Sequence, residues 1–437
     1  MRLAEGGMRF TYRDGFCMLY GQFLKSRQLN MQSPELPNLM QVRAFLRVVE
    51  HGSVSRASAV LFRAQPVVTR AILSLEKRLG VALFERNVNG MRLTDYGERA
   101  LPRARRAMDE LLALPPLFGQ ALGQAAEPLY LFQTRRLEAF AKLCETHHMQ
   151  TTASILEVTQ PAISAAIKIL EQGSGCSLFE RTPHGLLPTR LCLAMLVRVR
   201  RALNELRHID ADIAAQGGSL QGVVHVGALP LGRTGILPEA IVRLTLEHPH
   251  VRIVTNESPF DLLASELRAG DVDFVLGALR PSAYASDLHG EALLQEEMAI
   301  LVRHDHPWLK RKPVYEDLSA ARWILPRAGS PARQLLEAFF FHIGIAAPSP
   351  VIETGDLAIL RGVLLRSDML AAVSAHQLEY EMLSGDLVQL PLSLSHTTRP
   401  IGFISRTGAL QSPAAQALMD KIREVVGETA TRMIQST

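Results

Sequence analysis

Leu83-Phe84-Glu85-Arg86 returns further along the chain as Leu178-Phe179-Glu180-Arg181, and Gln65-Pro66 returns as Gln160-Pro161, both at an offset of 95 residues. At the same offset Phe45 meets Phe140, Leu61 meets Leu156, Ile72 meets Ile167, Leu75 meets Leu170, Gly90 meets Gly185 and Thr94 meets Thr189. Solenoid units repeat at about 20–50 residues, so this period implies duplication of a whole domain.

Within the first copy, Val42, Phe45, Leu46 and Val49 follow helical spacing until His51-Gly52-Ser53 interrupts them. Ser53 suits the cap of a second helix carrying Ala57, Val60 and Leu61. A third helix opens at Gln65-Pro66, where proline is tolerated because first-turn amides lack an intrahelical partner. Its apolar face is Val68, Ile72 and Leu75, which turns Gln65, Pro66, Val67, Thr69 and Arg70 outward. Short polar and basic side chains on such a helix reach base edges and phosphates in a major groove. Leu83 to Thr94, with Asn87-Val88-Asn89-Gly90 at its tip, reads as a β-wing whose Arg92 supplies a backbone contact.

This order of elements resembles the amino-terminal domain of LysR-type transcription regulators, and Leu93-Thr94-Asp95-Tyr96-Gly97-Glu98 is similar to that family's LT-x-x-GE signature. By the same resemblance, Ala100 to Ala113 corresponds to the long linker helix through which the family dimerises. The second copy departs from the first at several points. Thr159 precedes Gln160-Pro161 as a helix cap that Ala64 cannot be. Ala165 stands where Arg70 would be, Leu187 replaces Arg92, and Arg190-Leu191-Cys192-Leu193 replaces Asp95-Tyr96-Gly97-Glu98. Because each phosphate neutralised releases about one counterion, the first copy reads as the stronger DNA binder. The second offers Gln160, Pro161, Ser164 and Lys168, for a second half-site or for assembly of the oligomer. Leu193 to Ala215 is a long amphipathic stretch and reads as a dimer seam.

Charge is divided along the chain. The net is +6 over 39–113 (13 Lys/Arg against 7 Asp/Glu), +2 over 130–216 and −5 over 217–437, which places a polyanion-binding head before a separate body. In that body, Val223 to Ala228, Arg252 to Asn256 and Phe274 to Gly277 read as strands alternating with helices, the pattern of a largely parallel sheet. A second set follows at Met298 to Val302, Trp323 to Leu325, Val351 to Glu353 and Met369 to Val373, and Ile401 to Ser405 with the helix from Pro413 returns to the first lobe.

Over 221–426 this plan resembles the two-lobed, periplasmic-binding-protein-like effector domain of LysR-type regulators; Gly227-Ala228-Leu229-Pro230, Leu267-Arg268-Ala269-Gly270 with Asp273, and Gly277-Ala278-Leu279-Arg280-Pro281 are similar to the subgroup that includes sugar and aromatic-catabolism regulators. The fold class is therefore multidomain: two mainly-α winged helix-turn-helix domains, then a two-lobed α/β domain. The expected divisions are 1–38 unassigned, 39–113 first DNA-binding unit, 114–129 linker, 130–216 second unit and 217–437 effector domain.

The resemblance implies an inducer between the lobes. Leu229, Pro230, Arg233 and Thr234 follow the first strand, Ser258 the second, Arg280 the third, and Thr354 lies in the second lobe. Arginines and helix amino-termini there favour an anionic group, although Arg233 and Arg280 equally suit ordinary surface or interlobe positions. Implied partners are double-stranded DNA, a small-molecule inducer, a second or further copies in a homodimer or homotetramer, and RNA polymerase.

Rival functions lack motifs. There is no GxSxG elbow, P-loop or HExxH for an enzyme, and no catalytic residue, metal site or cofactor is expected. A solute-binding protein without DNA contact is the other rival, separable by its indifference to DNA. No apolar run reaches the roughly 18 residues of a membrane span, and a cytoplasmic protein is expected. Cys17, Cys144, Cys176 and Cys192 form no CxxC pair and read as packing thiols. Residues 1–38 match neither repeat, and Met31 is an alternative start.

Overall fold

The computed structural model describes residues 35–87, 90–120, 127–183, 185–280, 286–311 and 313–435. Residues 1–34, with Cys17 and Met31, and residues 121–126 of the expected 114–129 linker lie outside the described residues. The first copy comprises α1 (Leu39–His51), α2 (Val54–Val60), α3 (Gln65–Leu79), a hairpin of β1 (Phe84–Asn87) and β2 (Gly90–Leu93), and α4 (Asp95–Leu112). The second comprises α5 (Thr134–Thr146), α6 (Met149–Ile155), α7 (Gln160–Ser174), β3 (Phe179–Thr182) with β4 (Gly185–Pro188), and the longer α8 (Arg190–Gln216). Each element begins 95 residues after its counterpart.

Local chemistry fixes these boundaries. Asn38 caps α1 by accepting from the Met40 amide at 2.8 Å, and Ser53 caps α2 through the Arg56 amide at 3.2 Å. The chain leaves α1 through Gly52 at φ 66° and turns between α2 and α3 at Phe62, φ 52°. The second copy keeps both conformations with His147 at φ 60° and Glu157 at φ 54°. Left-handed backbone costs a side-chain-bearing residue about 1–2 kcal/mol, so the turn geometry has outlasted the glycine that suits it. Thr159 occupies the cap position of α7, but its side chain makes no capping hydrogen bond, so the expected advantage over Ala64 is not realised.

A continuous core runs through both copies, from Leu39 and Phe45 through Leu111 to Phe140, Leu203 and Ile213. Its centre is the packing of α4 on α8 within one chain, which corrects the reading of Leu193 to Ala215 as a seam toward another chain. On α4, Ala100, Ala104, Ala107 and Met108 are buried; on α8, Val199, Ala202, Leu203 and Leu206 are buried. The helices are antiparallel, because Arg99 meets Gln216, Arg106 meets Glu205 and Arg198 meets Glu110.

Cys144 and Cys192, far apart in sequence, bring their sulfurs to 3.5 Å inside the second copy. That separation is a contact of free thiols, since a disulfide requires about 2.05 Å.

Gly97, in the first turn of α4, marks a place where two backbones nearly touch: a Cβ there would fall 2.2 Å from the Leu83 carbonyl oxygen. G97A is expected to push α4 off the wing and cost about 1–3 kcal/mol, read as a lowered midpoint in urea. The corresponding position of the second copy holds Cys192, buried against Cys144.

The remainder forms two five-stranded sheets. The first contains β5 (Gly222–Ala228), β6 (Val251–Asn256), β7 (Phe274–Ala278), β8 (Leu288–Glu296) and β14 (Arg399–Arg406), in the order β6-β5-β7-β14-β8. The second contains β9 (Met298–Arg303), β10 (Trp323–Leu325), β11 (Pro350–Glu353), β12 (Leu370–Ser374) and β13 (Leu387–Gln389), in the order β11-β10-β12-β9-β13. Helices α9 (Ile236–Glu247), α10 (Phe260–Ala269) and α15 (Pro413–Gln435) serve the first lobe. The second lobe holds α11 (Asp317–Ala320), α12 (Pro331–His342), α13 (Leu357–Leu364) and α14 (Glu379–Leu383). Strand β14 returns to the first lobe as expected, but it runs antiparallel to β7 and β8, so the sheets are mixed rather than largely parallel.

Candidate nucleic-acid interface and effector cleft

On α3, the inward side chains Val68, Ile72 and Leu75 are buried while Gln65, Pro66, Val67 and Arg70 stand exposed. Thr69 is half-buried and donates its hydroxyl to the Gln65 carbonyl at 3.1 Å. Gln65, Pro66, Thr69, Arg70 and Leu73 together line a shallow concavity on the outer face. Arg92 is exposed on the hairpin opposite Glu85. In the second copy Ile163, Ile167 and Leu170 point inward, and Gln160, Pro161, Ser164 and Lys168 are all exposed. Ala165 and the 48 % exposed Leu187 stand where Arg70 and Arg92 stand in the first. Neither outer face is covered by another described part of the chain.

The lobes meet around a buried carboxylate that the sequence reading did not single out. Glu296, at the end of β8, accepts from the Ser374 hydroxyl and pairs with His376 Nδ1 at 2.8 Å. Thr234 reaches the same place from the first lobe, donating to the His376 carbonyl at 3.3 Å. Arg399 enters at the start of β14, 8 % exposed, and its Nε has no hydrogen-bond partner among the described residues. Burial pulls the Arg399 guanidinium below its ordinary range, with Glu296 opposing and Arg280 adding to the shift. No spacing motif announces these groups: Glu296 and Arg399 sit at strand ends where the chain crosses between lobes, and Ser374 and His376 lie at the end of β12 within the second lobe.

The expected effector residues divide. Arg233 is committed to structure, since Nε donates to the Ala228 carbonyl at 2.7 Å and a terminal nitrogen donates to that of Glu257 at 2.9 Å. Leu229 is buried and Pro230 half-buried beside it. Arg280 lies over the Phe260 ring at 4.5 Å, a cation–π contact, and neighbours Arg399. Ser258 donates its amide to Asn256 Oδ1, and Thr354 Oγ1 accepts from the Asp356 amide. The amino-terminus of α13 is filled by the chain itself, because the Asp356 carboxylate accepts from Ala358 and Ile359.

Hydrogen bonding to Glu296 raises the His376 pKa above its ordinary value against the effect of burial. A histidine whose folded pKa is raised adds stability below its unfolded pKa of about 6.5 and loses it as pH rises through the folded value. The stability difference between the wild-type chain and H376Q is therefore expected to be largest in mild acid and to close above neutrality, in paired thermal melts.

A second polar cluster joins the first lobe to the helices. Arg103, 1 % exposed, donates to Asp212 at 2.8 Å, to Glu205 at 2.9 Å and to the carbonyls of Leu410 and Gln411. Burial, with Arg103 and Arg207 adding, lowers His208 to about 3, so the imidazole beside Asp273 is neutral at pH 7. Burial also lifts Asp273 to about 6.

Residues 39–98 and 134–192 each match the model of the bacterial regulatory helix-turn-helix protein, lysR family, and residues 217–427 match the LysR substrate binding domain. The chain is 63 % identical over 396 residues, 91 % of its length and 99 % of the relative's, to the HTH-type transcriptional regulator GalR of Pseudomonas putida. It is 30 % identical to the HTH-type transcriptional regulator PcaQ of Agrobacterium fabrum, over 67 % of this chain and 95 % of that one. Among solved structures, a full-length OxyR variant from Pseudomonas aeruginosa shares the fold at TM-score 0.53 and 22 % identity, covering 67 % of this chain and 94 % of the other.

Proposed function

The chain belongs to the LysR family of ligand-responsive, DNA-binding transcription regulators, and from that premise we propose that it carries two of the family's winged DNA-binding units ahead of one periplasmic-binding-protein-like effector domain. The units occupy 39–113 and 130–216, joined by 114–129, and the effector domain follows from 217. DNA is read by Gln65, Pro66, Val67, Thr69, Arg70 and Arg92 in the first unit and by Gln160, Pro161, Ser164 and Lys168 in the second.

The observation that supports this reading best is that both Gln-Pro helices keep their outer faces in solvent while their inner faces build the core. The test is enrichment of sheared genomic DNA by the purified chain followed by sequencing. Discrete enriched sites are expected; recovery in proportion to the input would overturn the reading.

The inducer site is the cleft around Glu296, His376 and Arg399, bordered by Thr234, Arg280, Ser258 and Thr354, and the inducer carries an anionic group. Support comes from Arg399, a buried cation whose Nε has no hydrogen-bond partner among the described residues, beside a second arginine. Sugar acids and aromatic acids are the compounds to screen, from the subgroup resemblance of the effector domain and the buried Arg399. The regulator works in the cytoplasm, with RNA polymerase as the machinery it influences. Inducer acts through a difference in affinity between two lobe arrangements, which the Arg103 cluster passes to α4 and α8.

A further inference from the structure

The contacts between α4 and α8 come in pairs related by the repeat. Arg103 bonds Glu205 at 2.9 Å and Arg198 bonds Glu110 at 2.9 Å; adding 95 to the first arginine and subtracting 95 from its glutamate gives the second pair. Arg106–Glu205 at 2.8 Å and Arg201–Glu110 at 3.5 Å are related in the same way. Interchange of partners under one sequence shift is the signature of a two-fold axis, here internal to a single chain. Met108 and Leu203, equivalent in the repeat and both buried, lie midway between these pairs and mark where the axis passes. A second point on it is the bond from the Leu39 amide to Thr134 Oγ1 at 3.1 Å, also between equivalent positions.

We propose that one chain is by itself a complete two-headed reader of duplex DNA, and that its operator has two unlike arms, one for each copy. The proposal rests on the DNA-binding reading above. A two-fold rotation preserves direction along its axis, so α3 and α7 present their outer faces with the same component along it. In two-chain helix-turn-helix proteins that symmetry matches palindromic half-sites about one helical turn, or a multiple of it, apart. Here the related faces differ: Gln65, Thr69 and Arg70 on one side, Gln160, Ser164 and Ala165 on the other. Identical half-sites would leave one face mismatched, so the matching duplex is a broken palindrome. The seam that would recruit a second chain's linker helix is already filled, since the apolar faces of α4 and α8 are spent on each other.

The test is selection of binding sites by the full chain from a random duplex library, repeated with two variants. One variant is Q65A with R70A; the other is Q160A with S164A and K168A. All these positions are exposed, and unchanged melting curves verify folding. The wild-type chain is expected to select two different arms, with each variant erasing the preference in one arm only, by about tenfold to a hundredfold at the contacted bases. A palindromic site whose two arms both vanish in the first variant and survive in the second would overturn the proposal while leaving DNA binding intact. Failure to select any sequence would overturn both.

Discussion

Replacing Arg103 with alanine is expected to remove about 3–5 kcal/mol of stability, the cost of stripping one partner from a buried ionic cluster. The guanidinium satisfies two carboxylates and two main-chain carbonyls at once; without it Asp212 loses its ion-pair partner and Glu205 keeps only Arg106. Burial already holds the Asp212 carboxyl above its ordinary range, with Arg103 pulling it back. In R103A that pull is gone, so the residual stability should fall as pH rises from acid toward neutral, where protonation no longer relieves the unpaired Asp212 carboxylate. Urea unfolding followed by circular dichroism measures both effects. Should R103A fail to fold, R103A with D212N restores the charge balance, leaving Arg106 paired with Glu205, and is expected to recover a folded chain. Equal stability of R103A and wild type would remove the cluster from the account.

The second large effect concerns DNA. R70A with R92A is expected to flatten the slope of log affinity against log salt by about 1.8, since each lost phosphate contact removes about 0.9. K168A should reduce the slope by about 0.9. Fluorescence anisotropy with a selected duplex over a salt series gives these values directly. An unchanged slope in R70A with R92A would show that those cations face solvent rather than phosphate.

Most of the architecture was legible because a repeat supplies its own control. The helices at Gln65 and Gln160 start at the Gln-Pro pairs, and Val68/Ile163, Ile72/Ile167 and Leu75/Leu170 turned inward in both copies as their spacing required. Other features were not legible. Periodicity shows that Leu196, Leu203 and Leu206 form an apolar face but not which helix covers it, and the covering helix proved to be the chain's own α4. Strand β8, rich in Glu, Gln and His beside its leucines, lacks clean alternation: it lies at the sheet edge and its pairing with β14 slips between Ile401 and Gly402. In the cleft, Arg233 drew notice as an arginine after a strand, yet it holds main-chain carbonyls. Glu296, His376 and Arg399 meet only because the two lobe crossings and the end of β12 come into one place, which no local spacing records.

The geometry also gives the regulator a short mechanical path. The carbonyls of Gly408, Leu410 and Gln411, just before α15, are held by Arg106 and Arg103 from α4. Arg200 and Arg201 of α8 hold Asp271 and the Arg268 carbonyl at the end of α10. Both linker helices are thus anchored to the first lobe.

Whether the two-fold seam closes inside one chain is tested most directly by cysteine cross-linking at its midpoint. With Met108→Cys and Leu203→Cys combined, oxidation is expected to join positions 108 and 203 within a single polypeptide, identified by peptide mass mapping, with no doubling of mass on a non-reducing gel. Met108→Cys alone should remain monomeric under the same oxidation. A covalent dimer of that single variant, joined through residue 108 of both copies, would contradict the account.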